Sequence, residues 1–99
     1  MRDTDEGCRL DIWLYRTRLT KTRREAQTLI SKRKVRLTRA GVTNRVSKPH
    51  FIVRPGDQLS FMRARQLYNV EMLSVGVRRG PAREAQTLYR TLETPDQPS

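Results

Sequence analysis

The residues best suited to a chemical task are Lys21, Thr22 and Arg23, which are consecutive in the sequence. Thr22 and Glu25 match a capping box, in which a hydroxyl and a carboxylate accept hydrogen bonds from the first amides of a helix. This corner would therefore combine two cations, a hydroxyl and the amino end of a helix. Helix amides and neighbouring cations together favour a bound phosphate. We expect the corner to seat one phosphate of a nucleic acid.

The corner lies in a strongly basic stretch that runs from residue 16 to residue 39. This stretch holds ten Lys or Arg residues against one acid, Glu25, and so contributes +9 to a formal net charge of +11. A positive field concentrated on one folded region is typical of a nucleic-acid interface. The alternative is a solvated, charged face without a partner, although charge spread over the surface would serve solubility as well.

Catalytic chemistry has few candidate residues in this chain. The one His, His50, and the one Cys, Cys8, lie in different segments, so no nucleophile–base pair and no cysteine-rich metal site is indicated. No phosphate-binding glycine motif is present, and none of the ten carboxylates falls in a recognisable acid–base pair. We expect no enzymatic activity, no metal, no cofactor and no small-molecule substrate.

The length of the chain and its apolar content indicate one small domain. A chain of 99 residues is long enough for a single core, and none of its apolar runs approaches the length of a membrane span. The first residues lack the apolar segment of a secretory signal. We expect a flexible N-terminus at 1–8, a single domain at 9–93 and a tail at 94–99, in a monomeric cytoplasmic protein.

Apolar periodicity predicts two short helices before the first strand. Leu10, Trp13 and Leu14 form one helical stripe, and Ala26 and Ile30 continue a second stripe after the capping box. Because Trp13 lies in the middle of its stripe, we expect it in the core and not as a platform for stacked bases.

After the second helix, the period changes from helical to alternating, which predicts strands. The predicted strands cover residues 34–38, 42–46, 58–62 and 67–77, and an apolar triplet at 51–53 follows a predicted loop. A last helix is predicted to begin at Gly80 and Pro81 and to bury Ala85, Leu88, Tyr89 and Leu92 on one face.

The order and spacing of these residues resemble the RNA-binding domain first seen in small-subunit ribosomal protein four. The matching residues are Arg9-Leu10-Asp11, Leu14, Lys21-Thr22-Arg23, Ala26, Ile30, Val35 and Arg54-Pro55-Gly56-Asp57. The segment 78–85, together with Leu88-Tyr89 and Trp13-Leu14, is similar to the heat shock protein 15 family. The resemblance covers residues 9–92.

The resemblance implies an α+β fold, with a two-helix RNA-binding motif packed on a small antiparallel sheet and a C-terminal helix. It also implies binding to ribosomal RNA on free large subunits, especially subunits that still carry a nascent chain, in a heat-shock response. Three features depart from the family pattern. Arg33 stands where a Gly is usual, residues 38–41 replace an Asn-Gly turn and predict a longer hairpin, and no long basic extension follows the last helix.

We expect the RNA contacts to come from the two helices and the first long strand. The predicted RNA-binding residues are Arg9, Arg16, Lys21, Thr22, Arg23, Gln27, Lys32, Arg33, Lys34 and Arg36. The cations would contact phosphates, and Gln27 would reach a base edge or a ribose hydroxyl. Asp11 is expected to orient a nearby Arg or to cap the first helix, and not to touch RNA.

Other functions fit the same basic surface. The chain resembles accessory RNA-targeting modules of RNA-modifying enzymes, although no catalytic part is present. A double-stranded DNA binder could use residues 23–33 as a recognition helix, and a protein-interaction module could present the basic face to an acidic protein. The few aromatic residues sit mostly at core positions, so we expect recognition of backbone charge and shape.

Overall fold

The computed structural model describes residues 7–92 of the chain. The predicted tail at 94–99 lies outside the described residues, as does most of the N-terminal segment at 1–8. Cys8 is described and belongs to a short strand, β1 (Cys8–Arg9), which pairs with Ile52 and Val53. None of the helices between residues 7 and 92 has the length and apolarity to cross a membrane.

Two helices open the fold and pack against each other. They are α1 (Leu10–Arg16) and α2 (Arg23–Ser31). The Thr22 hydroxyl accepts a hydrogen bond of 2.9 Å from the Glu25 amide, and the Glu25 carboxylate accepts one of 2.7 Å from the Lys21 amide. The first bond confirms the predicted cap at Thr22, which fixes the residue at which α2 begins. The Glu25 carboxylate binds the amide of Lys21, one residue before the N-cap, and not the predicted first-turn amide.

An antiparallel sheet follows the helices. The remaining strands are β2 (Val35–Arg39), β3 (Val42–Val46), β4 (Ile52–Val53), β5 (Gln58–Arg63), β6 (Gln66–Met72) and β7 (Tyr89–Thr91). Five of them form one sheet in the order β3-β2-β5-β6-β7, and β1 pairs with β4 in a second, two-stranded sheet. The α+β fold class predicted from the sequence is therefore confirmed.

The hairpin between β2 and β3 turns more tightly than the sequence predicted. Arg39 pairs with Val42, so the loop consists of Ala40 and Gly41 alone, with φ angles of 53° and 80°. Two successive residues at positive φ form the kind of two-residue turn that matches the twist of neighbouring strands. The expected longer turn over 38–41 is wrong, because the first half of that segment continues the ladder of β2.

The C-terminal helix is shorter than predicted. It consists of α3 (Ala82–Ala85) and one 3₁₀ turn at Gln86–Leu88. The prediction that it continues through Tyr89 and Leu92 is wrong, because Tyr89 is extended and pairs with Met72 at the edge of the sheet. Pairing with a distant strand here outweighs a local helical periodicity.

Strand β6 also ends earlier than residue 77. Beyond Met72, the amides of Leu73 and Ser74 both donate to the carbonyl of Leu88, at 2.8 and 3.2 Å. The indole nitrogen of Trp13 donates to the Ser74 carbonyl at 2.8 Å. The segment therefore leaves the sheet because its backbone groups have partners in the first helix and the last turn.

The core lies between the two helices and the inner face of the sheet. Its fully buried members include Leu10, Trp13, Ile30, Leu59 and Met72. Trp13 is 0% exposed, which confirms that it belongs to the core. It also connects α1 to the segment after β6, because its indole nitrogen, the only polar atom of the side chain, donates to the Ser74 carbonyl.

We predict that Trp13→Ala lowers the free energy of unfolding by about 3–5 kcal/mol, as expected for a large cavity in a closely packed core. Urea unfolding followed by far-UV circular dichroism would measure the change. Trp13→Phe is the matched control, because it keeps most of the ring volume, loses the bond to Ser74 and should cost less. A Trp13→Ala variant as stable as the parent protein would contradict the core assignment.

Candidate nucleic-acid interface

A buried carboxylate organises the surface between the two helices. Asp11 is 0% exposed, and the Arg9 guanidinium donates to it from Nε at 3.1 Å and from Nη2 at 2.9 Å. The Gln27 amide nitrogen donates to its Oδ2 at 2.9 Å, and the Ile12 amide donates to its Oδ1 at 2.8 Å. Asp11 thus joins β1, α1 and α2, which confirms the prediction that it orients a nearby Arg.

The Asp11 cluster places cations at the surface in fixed positions. Arg23 Nη2 lies 3.8 Å from Asp11 Oδ2, and the side chains of Arg9 and Arg23 remain 42% and 48% exposed. Burial alone would raise the pKa of Asp11, but hydrogen bonds from Gln27 and Arg9 outweigh it and hold that pKa below its ordinary value. Asp11 therefore stays charged, and Arg9, Arg23 and Gln27 are oriented around it.

The predicted phosphate corner is exposed at the amino end of α2. Lys21, Thr22 and Arg23 all face solvent. The Thr22 hydroxyl accepts from the Glu25 amide and retains its own proton for donation to a ligand. The structure thus brings the two cations and the hydroxyl to the start of the helix, next to the Asp11 cluster.

The one acid of the basic stretch is neutralised by a residue that the sequence analysis missed. Arg63, at the end of β5, forms an ion pair with Glu25 and donates to it from Nε and from Nη2, the latter at 3.2 Å. The hydrogen bonds from Arg63 are the largest influence on Glu25 and lower the pKa of its carboxyl group. No local signal could have indicated this pair, because 38 positions separate its members.

The carboxyl end of α2 carries the second group of predicted residues. The Lys34 amide donates to the Leu29 carbonyl at 3.1 Å and the Arg33 amide to the Ile30 carbonyl at 2.8 Å, which is a Schellman motif. Arg33 has a φ of 60°, a conformation that normally favours Gly at this position. The motif turns the chain from α2 into β2 and leaves Lys32, Arg33 and Lys34 exposed.

Arg36 continues this basic group on the outer face of β2. It is exposed, and its Cα partner on β3 is Arg45. Arg45 also donates to the Arg33 carbonyl at 3.1 Å. The sequence analysis missed Arg45 because it lies outside the basic stretch, in a strand whose pattern is weak. The predicted residues therefore form two groups at the two ends of α2, about 14 Å apart for a nine-residue helix.

Arg16 has a different environment from the other predicted residues. It is half-buried, and its Nη1 donates to the carbonyls of Val75 and Gly76 at 3.1 and 3.0 Å. Arg18 and Arg79 make similar bonds, the first to the Gly80 carbonyl and the second to the carbonyls of Tyr15 and Thr20. These three arginines attach the segment after β6 to the end of α1. Of these three, the sequence analysis predicted only Arg16 to bind RNA, and it could not foresee the bonds of Arg16 because their acceptors are backbone groups of a distant segment.

Metal binding has no candidate site in the described part of the chain. Nowhere between residues 7 and 92 do three or more His, Cys, Asp or Glu side chains come together as a set of ligands. The interface consists of cations, one hydroxyl, one amide side chain and helix amides, which are groups that bind phosphates and sugar hydroxyls.

Comparison with known proteins relates this arrangement to RNA-binding proteins. The S4 domain family matches residues 8–37, which contain α1, α2 and the start of β2. Among solved structures, the trimeric heat shock protein 15 of Vibrio cholerae is similar, with 30% sequence identity and a TM-score of 0.75. The match covers 88% of this chain and 83% of the Vibrio cholerae chain. No curated protein sequence matches this chain significantly.

We predict that Asp11→Asn destabilises the protein, because the new amide group would face the donors of Arg9 and Gln27. The loss should be about 1–3 kcal/mol near neutral pH. Because the pKa of Asp11 is lowered on folding, its contribution is fully present above the unfolded value of about 4 and is lost as pH falls through the folded value.

Urea unfolding at a series of pH values would measure both effects. The stability of Asp11→Asn should fall less steeply below pH ~4 than that of the parent protein. Glu84→Gln, which removes an ion pair whose members are 63% and 42% exposed, is the control and should cost only about 0–1 kcal/mol. Equal stability of Asp11→Asn and the parent protein at every pH would contradict the role given to Asp11.

Proposed function

The chain belongs to the heat shock protein 15 family, and we propose that it binds ribosomal RNA on the free large ribosomal subunit. RNA binding itself follows from the S4 domain at residues 8–37. The resemblance implies the finer role, which is to act on subunits that still carry a nascent chain, as part of a response to heat. In this proposal the protein works in the cytoplasm, without catalysis and without a cofactor.

The observation that supports this proposal is the pair of basic groups at the two ends of α2. At the amino end, Asp11 holds Arg9 and Arg23 beside Lys21. At the carboxyl end, a Schellman motif presents three successive cations to solvent. The proposed RNA-binding residues are Arg9, Arg16, Lys21, Thr22, Arg23, Gln27, Lys32, Arg33, Lys34 and Arg36. A helix that carries cations at both ends suits a folded RNA, whose phosphates lie at fixed spacings.

Each type of residue has a distinct task in this proposal. The lysines and arginines contact phosphates, and the Thr22 hydroxyl with the first amides of α2 seats one of them. Arg16 takes part through the donors that its bonds to Val75 and Gly76 leave free, since a guanidinium has five N–H groups.

Gln27 supplies a preference for RNA over DNA. Its amide nitrogen is bound to Asp11, so its carbonyl oxygen is the atom available to a ligand. A carbonyl oxygen accepts a hydrogen bond from a ribose 2′-hydroxyl, which DNA lacks. Gln27 would therefore read the sugar of the nucleotide beside the phosphate corner.

We propose a monomeric protein, because a net charge of +11 opposes self-association of the free chain. The Vibrio cholerae relative is trimeric in its crystal structure. The molar mass in solution, measured by light scattering with and without RNA, would distinguish a monomer from a trimer.

Cross-linking in cells, followed by sequencing of the bound RNA, tests the proposed target. We expect most cross-links in ribosomal RNA of the large subunit, and co-sedimentation with free large subunits that RNase treatment abolishes. Cross-links spread over messenger RNA would contradict the proposed target. Equal competition by duplex DNA and structured RNA at the same salt concentration would favour the DNA-binding alternative.

We predict that Lys21→Gln combined with Arg23→Gln weakens binding to large subunits by about tenfold or more, because two charge-assisted phosphate contacts are lost. Glutamine is preferred to glutamate at position 23, because a new carboxylate would lie close to Asp11. Co-sedimentation would measure binding, and the melting temperature should change little because Thr22 still caps the helix.

The matched control is Lys48→Gln combined with Arg83→Gln, which removes the same two kinds of charge from exposed positions outside both basic groups. Arg78 and Arg79 are unsuitable for this purpose, because Arg78 pairs with Glu84 and Arg79 bonds to the end of α1. If both double variants lost binding equally, net charge alone would matter and the proposed corner would be wrong.

A further inference from the structure

Two arginines face each other on the outer surface of the sheet. Arg36 and Arg45 are direct Cα partners on β2 and β3, and both side chains are exposed. Like charges at directly opposed positions of neighbouring strands destabilise a sheet. Lys34, the residue before β2, lines the same cleft as this pair and adds a third positive charge. The arrangement is unfavourable for the free protein unless an anion neutralises it.

The described part of the chain provides no anion for this group. Each of its five carboxylates is paired with an arginine elsewhere. The pairs are Asp11–Arg9, Glu25–Arg63, Asp57–Arg39, Glu71–Arg90 and Glu84–Arg78. Within residues 7–92, then, Lys34, Arg36 and Arg45 form no salt bridge, and an anionic partner would neutralise them.

The cleft beside the arginine pair also has an apolar wall. Its volume is about 290 Å³, and its lining includes Ser60, Met62 and Leu67 in addition to the three cations. Met62 and Leu67 are Cα partners on β5 and β6, and they are 54% and 47% exposed. Ser60 is the Cα partner of Arg36 and lies between the cations and the apolar wall. The cleft thus combines positive charge, a hydroxyl group and an apolar surface.

We propose that this cleft binds one unpaired nucleotide of the RNA, with its phosphate between Arg36 and Arg45 and its base against Met62 and Leu67. The proposal rests on the proposed function, because the RNA strand would enter the cleft from the basic group at the carboxyl end of α2. Guanidinium groups bind phosphate in a bidentate way. A base within a duplex is stacked on both faces, so only an unpaired base can cover an apolar wall.

Binding of two RNA probes tests this site. One probe is a blunt stem-loop, and the other is the same stem-loop with a short single-stranded overhang. We expect the parent protein to bind the overhang probe more tightly, by about tenfold. Arg45→Gln and Leu67→Ser should each remove most of this gain and leave affinity for the blunt probe within about a factor of two. The salt dependence of overhang binding should weaken by about 0.7 in slope for Arg45→Gln.

Control variants separate this site from the phosphate corner and from loss of folding. Arg45→Lys keeps the charge and should restore part of the gain, and Arg83→Gln should have no effect on it. The melting temperature of Arg45→Gln should change little, because relief of the repulsion by Arg36 offsets the loss of the bond to the Arg33 carbonyl. The double variant Lys21→Gln with Arg23→Gln should lower the affinity for both probes by the same factor. If that variant bound both probes as tightly as the parent protein, the proposed phosphate corner would be wrong. Tighter binding of the overhang probe would still support the cleft proposal.

Three results would overturn the cleft proposal. The first is a parent protein that binds both probes equally, which would leave the proposed function intact and remove the nucleotide site. The second is an equal loss for both probes in Arg45→Gln, which would show that Arg45 contributes general charge only. Saturation of the cleft by an acidic peptide but not by the overhang would assign the surface to a protein partner instead.

Discussion

The buried Asp11 carboxylate is the constraint on which the rest of the structure depends. A charge in an apolar core is unfavourable unless hydrogen bonds and opposite charges compensate it. Here the compensation comes from Arg9, Arg23, Gln27 and the first turn of α1, so the same bonds that stabilise the core also fix the geometry of the surface. Stability and the placement of the surface cations are therefore coupled through one residue whose side chain is itself buried.

Local signals explain which parts of the fold could be predicted. The helix cap at Thr22 and the stripe around Trp13 involve residues three to four positions apart, and both are confirmed. Predictions failed where a distant partner decides the conformation, as at Tyr89, whose extended pairing with Met72 replaces a helix. Arg63 and Arg45 were missed for the same reason, since their partners lie in other elements of the chain.

The structure also divides the basic residues into two kinds that composition treats alike. Arg16, Arg18 and Arg79 donate to backbone carbonyls and hold the end of α1 to the segment after β6. Lys21 and Lys34, in contrast, are exposed at the two ends of α2. A high net charge therefore overstates the number of cations whose donors are all free to meet a polyanion, and only the bonding partners of each guanidinium reveal the difference.

At Arg33, the backbone conformation lowers stability, while the side chain adds positive charge to the surface. At a φ of 60°, a side chain is sterically unfavourable by about 1–2 kcal/mol, a cost that the Gly usual in the family would not incur. The guanidinium that replaces this Gly adds positive charge beside Lys32 and Lys34. Tolerance of heat would favour the smaller residue, and electrostatic attraction to a polyanion favours the larger one. Replacement of Arg33 by Gly would therefore relieve the backbone strain and at the same time remove one positive charge from the surface.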